Sequence, residues 1–179
     1  TKSPQWQALL SQGVLFWEVK PYDESCPCDF EKENKILKEI LKNYKVQIEH
    51  VGSTSIPGLS AKPIIDIAIG VKDEKTLFEI ESVMKNAGYD VLNEYEKRGG
   101  ILARKGSQEC RTHYIHMQLI DSEYWNEFMY FKKYLLEHPE EIKKYEEIKK
   151  DLSQKYANER KKIYGRKKQI YFNYFRKSI

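Results

Sequence analysis

The order of apolar patterns predicts an α+β fold: a sheet domain followed by a helical C-terminal part. Three observations carry this expectation. Stretches with β-branched content and period-2 alternation recur at five places between residues 46 and 120. Stretches with helical spacing stand before the first of these and again between the second and third. After Asp121 the pattern turns helical and stays so.

The elements follow in order. In DFEKENKILKEILKNY, Phe30, Leu37, Leu41 and Tyr44 form one helical stripe, with Ile36 and Ile40 beside it and Asp29 as N-cap. VQIEHV is a strand, and after a loop rich in glycine and proline a second strand runs from Pro63 to Val71. EKTLFEIESVMKNAG is a helix with Leu77, Ile80 and Met84 inward and Gly88 as its C-terminal cap. YDVLNEY, GILARK and RTHYIHMQLI are strands, joined by the turns KRGG and KGSQ. Three helices complete the chain, with breaks at His138-Pro139 and near Asn158.

Composition narrows the function classes. Of 179 residues, 40% are hydrophobic and 32% charged, and no apolar run approaches the roughly 18 residues of a membrane span. The start lacks the basic-then-apolar pattern of a secretory signal. Cys26, Cys28 and Cys110 are an odd set without zinc-ribbon spacing, which fits reduced thiols in a cytoplasmic protein. From Lys143 to Ile179 there are thirteen Lys or Arg against four Asp or Glu, in a chain whose net charge is only +4. Tyr145, Ile148, Leu152 and Tyr156 interrupt that charge at core-like spacing. The stretch therefore reads as a solvated helix face, not a specific reader of nucleic acid.

The chemistry concentrates in EHVGSTSIPGLSAKPIIDIAIG, Glu49 to Gly70. Gly52-Ser53 directly follows a strand. Glycine lets backbone N–H groups approach an anion and a serine hydroxyl adds a donor, so the turn reads as a phosphate cradle. Asp66 lies in the next strand, sharing a face with Ile64, Ala68 and Gly70, while Ile65, Ile67, Ile69 and Val71 point to the core. A carboxylate there is placed to hold a divalent cation against a nucleoside triphosphate. Lys62, Arg104, Lys105 and Arg111 are candidates for holding phosphate charge, Lys62 first because it lies within the signature.

Taken as one unit, HVGSTSIPGL followed by AKPIIDI resembles the GrpB family, a branch of the DNA polymerase beta-like nucleotidyltransferase superfamily. VKPYDESCPCDFEKENKILKEIL resembles the family's opening, RTHYIHMQL its later histidine strand, and FKKYLLEHPEEIKKYEEIKKDL its C-terminal helices. The likeness thus runs from Val19 to Ile170. It implies an extension at residues 1–18, a nucleotidyltransferase-like mixed sheet flanked by helices over 19–121, and a C-terminal helical region packed on it over 122–179. It also implies transfer of a nucleotidyl group from a nucleoside triphosphate to an acceptor, with a divalent metal as cofactor (magnesium or manganese, zinc as the alternative). Gly52 and Ser53 would meet the triphosphate, Pro57-Gly58 would shape the start of a short helix behind the loop, and Asp66 would ligate the metal.

The sequence departs from the superfamily pattern at one point. The second acid of its D-x-D falls on Ala68, and HYIHMQL offers Tyr114, His116 and Gln118 on one face with no acid. Glu49, on the strand before the turn, is the remaining candidate carboxylate. His116 is a candidate metal ligand or general base, whereas His50 and His113 read as hydrogen-bonded core residues. Imidazole plus one carboxylate suits manganese or zinc better than magnesium. Three functions stay open on these residues: a nucleotidyltransferase, a non-catalytic module binding a nucleotide or phosphorylated small molecule, and an enzyme built on a His/Asp transition-metal site.

Overall fold

The computed structural model describes residues 20–155. In order these form α1 (Cys26–Ile40), β1 (Gln47–Val51), a 3-10 turn (Ser53–Ser55), β2 (Ile65–Val71), α2 (Glu74–Asn86) and β3 (Asp90–Asn93). There follow one helical turn, α3 (Tyr95–Arg98), then β4 (Gly100–Gly106), β5 (Arg111–Leu119), α4 (Glu123–Glu137) and α5 (Glu140–Lys155). The five strands make one mixed sheet in the order β1-β2-β5-β4-β3, in which only β2 and β5 run parallel. The expected strands are all present. The helix expected beyond Asn158 and the first eighteen residues lie outside the described residues.

Strand parity divides the sheet into two faces. On one, Ile65, Ile67, Ile69, Val71, Ile101, Ala103, Ile115 and Met117 pack against Leu37 of α1, its C-cap Leu41, and Leu77, Ile80 and Met84 of α2, forming the main core. Of the expected stripe Leu37 and Leu41 are buried and Phe30 and Tyr44 partly so; of the two residues beside it, Ile40 is partly buried and Ile36 is 44% exposed. The other face carries Glu49, Asp66, Ala68, Gly70, Arg104, Tyr114, His116 and Gln118, as the register requires. The first turns of α4 cover part of it. Trp125 sits where a side chain on Gly70 would be, with a Cβ at that glycine falling 2.7 Å from the indole. Trp125 also forms a small cluster with Val51 and Ala68.

Local chemistry shifts two boundaries and keeps a third. α1 starts at Cys26, earlier than an Asp29 cap would allow, because Pro27 fits the first helical turn. Asp29 lies inside that turn and pairs with Lys32 at 2.9 Å. β3 stops at Asn93, whose side-chain oxygen accepts the Tyr95 N–H at 3.0 Å and starts the helical turn that replaces the expected KRGG turn. Gly88 caps α2 as expected, with φ 87 and the Tyr89 N–H reaching back to the Met84 carbonyl.

The chain divides into two compact units between Met129 and Tyr130, within α4. In the second, α4 and α5 meet through Phe131 and Tyr145, whose rings stand edge to face at 5.3 Å. α4 and α5 break at His138-Pro139, as the proline demands. Among the described residues no helix is long and apolar enough to cross a membrane.

Candidate functional site

The site grows from the turn between β1 and β2. Gly52 adopts φ 71 and ψ −169, a conformation nearly confined to glycine. It leads into the 3-10 turn, where the Ser55 N–H and the Ser55 hydroxyl both donate to the Gly52 carbonyl, at 3.2 and 2.7 Å. Ser55 was not among the sequence candidates, although a serine three residues after the glycine is a local backbone-bonding pattern. Thr54 turns inward, 2% exposed, and its hydroxyl lies 3.0 Å from Nε2 of His50. His50 also stacks on Phe30 with ring centroids 4.7 Å apart. It is a core residue, as expected, and it anchors the turn from below.

Pro57 and Gly58 do not open a helix, contrary to the expectation for them. With Leu59 N–H donating to the Ile56 carbonyl at 3.2 Å and Gly58 at φ 80, they form a type II turn after the 3-10 turn. Lys20 and Ala61 then exchange two backbone hydrogen bonds of 2.8 Å, tying the end of the loop down. Lys62 is exposed on the segment entering β2, its carbonyl accepting the Ile64 N–H at 2.7 Å.

Asp66 meets this turn from behind. A Cβ on Gly52 would stand 2.8 Å from Oδ2 of Asp66. The other oxygen, Oδ1, lies 3.2 Å from Nε2 of His116 on β5. The His116 ring in turn packs against Phe128 of α4 at 4.9 Å. Glu49 shares their face: it stands opposite Ala68 on β1, as His116 does on β5, so the position lacking an acid is flanked by both. Ala68 itself is 1% exposed beneath Trp125.

The remaining candidates are placed elsewhere. Lys105 points to the core face, where its Nζ donates to the buried Glu33 at 2.5 Å. Arg104 and Arg111 both pair with Asp90, at 2.8 and 2.6 Å. Arg111 is thus drawn to the β3 side of the sheet and not to the Gly52-Ser53 turn. His113 faces the core side, its Nδ1 lying 2.9 Å from the Thr112 hydroxyl.

The donor set limits which metal arrangement fits. Among the described residues no three His, Cys, Asp or Glu side chains are grouped to hold an ion. A two-ion cluster of carboxylates therefore does not fit. Asp66 and His116 instead offer one oxygen and one nitrogen donor, which fit a single ion completed by ligand oxygens.

The comparisons with known proteins agree with this architecture. The family described as GrpB protein matches residues 17–177. The glutamate-rich protein GrpB of Alkalihalophilus pseudofirmus is 35% identical over 145 residues, which are 79% of this chain and 83% of that protein. The UPF0157 protein YqkA of Bacillus subtilis is 34% identical over 136 residues, 76% of this chain but 39% of YqkA. The crystal structure of GrpB from Enterococcus faecalis superposes with a TM-score of 0.75 at 31% identity, covering 90% of this chain and 99% of that one.

Proposed function

The chain belongs to the GrpB family, and on that premise we propose that it transfers a nucleotidyl group from a nucleoside triphosphate to an acceptor, using one divalent ion. A single arrangement carries this reading: the glycine-serine turn lies directly against the Asp66 carboxylate, which is itself paired with His116. In this reading phosphate donors and ion ligands meet at one end of β2: the N–H groups of the turn and the Ser53 hydroxyl bind the triphosphate. Asp66 and His116 hold the ion, with Glu49 in the neighbouring register position. Bound there, the ion would neutralise charge on the transferring phosphoryl group. The protein's own contribution is then positioning, which dominates phosphoryl-transfer catalysis.

One observation favours a second reading. Ala68 is buried under Trp125, so the second D-x-D position is closed by packing and not merely neutral. A non-catalytic module that binds a nucleotide would tolerate this.

Calorimetry with a panel of nucleoside triphosphates, with and without manganese or magnesium, tests the binding step. Ser53→Ala should weaken triphosphate binding about tenfold, the effect of losing one hydrogen bond to a charged group. Equal affinity in the variant would leave the turn a purely structural device. Release of pyrophosphate, assayed after a panel of hydroxyl-bearing acceptors is added to the same samples, separates the transferase from the binding module.

A further inference from the structure

Arg104 and Arg111 converge on one carboxylate. Their guanidinium groups lie 2.8 and 2.6 Å from Oδ2 of Asp90, and Arg111 also donates to the Gly106 carbonyl at 2.8 Å. The backbone is built to allow this. Between Lys105 and Gly106 the β4–β5 register slips, so that Arg111, not Thr112, stands opposite Gly106. A one-residue slip moves a side chain to the other face of a sheet. Gly106 makes the slip possible: it has φ 92, and a Cβ there would fall 2.2 Å from the Cys110 carbonyl oxygen. The irregularity thus brings a second arginine onto the face that carries Arg104, Tyr114 and Asp66. Those three stand side by side across β4, β5 and β2. With strands about 4.8 Å apart, Arg104 is about 10 Å from Asp66 along that row.

The cluster is unbalanced in charge and in accessibility. Two guanidinium groups share one carboxylate. The arginine side chains are 27% and 14% exposed, against 47% for Asp90 on the edge strand. Nε of Arg104 is buried with no hydrogen-bond acceptor. That donor is out of reach of solvent, so an incoming anion would meet the exposed part of the guanidinium groups. Asp90 is the most exposed member of the cluster, on the edge strand, whereas Arg111 has a second anchor in the Gly106 carbonyl. Two planar forks set side by side match the oxygens of a phosphate or carboxylate.

We propose that Arg104 and Arg111 form a second anion subsite, which holds a phosphate or carboxylate of the acceptor, and that Asp90 fills it until the acceptor displaces it. The acceptor assignment rests on the nucleotidyl-transfer reading. The triphosphate then lies at the Gly52-Ser53 end of the row and the acceptor's anionic group at the other, with Tyr114 between them.

Inorganic phosphate is the probe, titrated by calorimetry against the full chain with and without a saturating, non-hydrolysable nucleoside triphosphate analogue and manganese. Asp90→Asn should bind phosphate about tenfold tighter, because the internal competitor is gone, and Arg104→Gln or Arg111→Gln about tenfold weaker. Arg104→Lys, which keeps the charge, should recover only part of the loss. The analogue should leave these values unchanged. Unchanged or weaker phosphate binding by folded Asp90→Asn overturns the subsite, since an ordinary ion-pair network would only lose stability. Competition between analogue and phosphate at the arginines overturns the acceptor assignment, because the subsite would then serve the nucleotide's own phosphates. If the analogue does not bind while the phosphate responses hold, the nucleotide reading fails, the acceptor assignment goes with it, and the anion subsite stands.

Discussion

A Cβ placed on Gly52 would fall 2.8 Å from Oδ2 of Asp66 and 3.0 Å from its Cβ. The glycine of the G-S pair is therefore required by the carboxylate behind it as well as by its positive φ. Turn and acid form one packed unit, which is why a bulky substitution at Gly52 cannot test phosphate binding alone. Gly52→Ala should lose about 1–3 kcal/mol from backbone strain alone, with more from the contact. In a urea double-mutant cycle, Asp66→Ala should return part of the second component but none of the first. Strict additivity of the two substitutions would mean that the carboxylate does not press on residue 52.

The single-ion reading makes an ordered prediction about metals. Asp66→Asn should abolish binding of divalent ions, because a neutral amide is a far poorer ligand, and His116→Ala should weaken it. The parent should prefer manganese or zinc to magnesium, since imidazole stands where a hard oxygen would otherwise be. The check is the metal-induced rise in melting temperature for the three proteins. No change in either variant would remove Asp66 and His116 as ligands and give first place to the binding module.

Ala68→Asp looks, on pattern alone, like a repair that restores D-x-D and shifts preference toward magnesium. Its packing predicts a different outcome. Ala68 is 1% exposed, in contact with the cluster of Val51 and Trp125. A carboxylate there is desolvated, so its folded pKa is raised above the unfolded value near 4. Stability relative to the parent is then best below about pH 4 and falls as pH rises through the folded pKa, with a loss of about 3 kcal/mol at neutral pH. Denaturant melts at pH 4 and 7 measure this. Equal stability at both would show that the position is open to solvent or to an ion.

Much of this architecture was legible because burial obeys period. Leu77, Ile80 and Met84 had to face one way on a helix, and Ile65, Ile67 and Ile69 one way on a strand; all six are buried. The same parity placed Asp66 and His116 on the second face. Glu49 could not be assigned, since its side depends on which residue of β2 it opposes, and that is set by the turn between them. Arg111 could not be given a face from the sequence: simple alternation puts it with His113 on the core side, the bulge beside Gly106 moves it to the face of Arg104, and a bulge leaves little trace in residue types. Ser55 and Thr54 act through local hydrogen bonds that any serine-threonine stretch could make. Buried charge was the other blind spot, because a glutamate in a helix reads as solvent-facing.

Glu33 is that case. It is 2% exposed, and both its oxygens are used: Tyr89 donates its hydroxyl to one at 2.5 Å and Lys105 its ammonium to the other at 2.5 Å. Burial, then the hydrogen bond to Glu33 and its charge, push the Tyr89 hydroxyl far above its ordinary range. The sign follows from the raised value. The contribution of Tyr89 is complete below the unfolded pKa near 10 and is lost as pH rises above it. Tyr89→Phe should cost about 1–3 kcal/mol at pH 7, by leaving a buried carboxylate oxygen short of a donor. Its stability should then fall less steeply than the parent's between pH 10 and 12, since the proton released on unfolding is gone. Lys105→Gln should likewise lose stability, yet leave triphosphate binding unchanged, because its side chain is committed to the core face. A Lys105→Gln protein that keeps its stability but loses triphosphate affinity would return Lys105 to the phosphate site and undo this assignment.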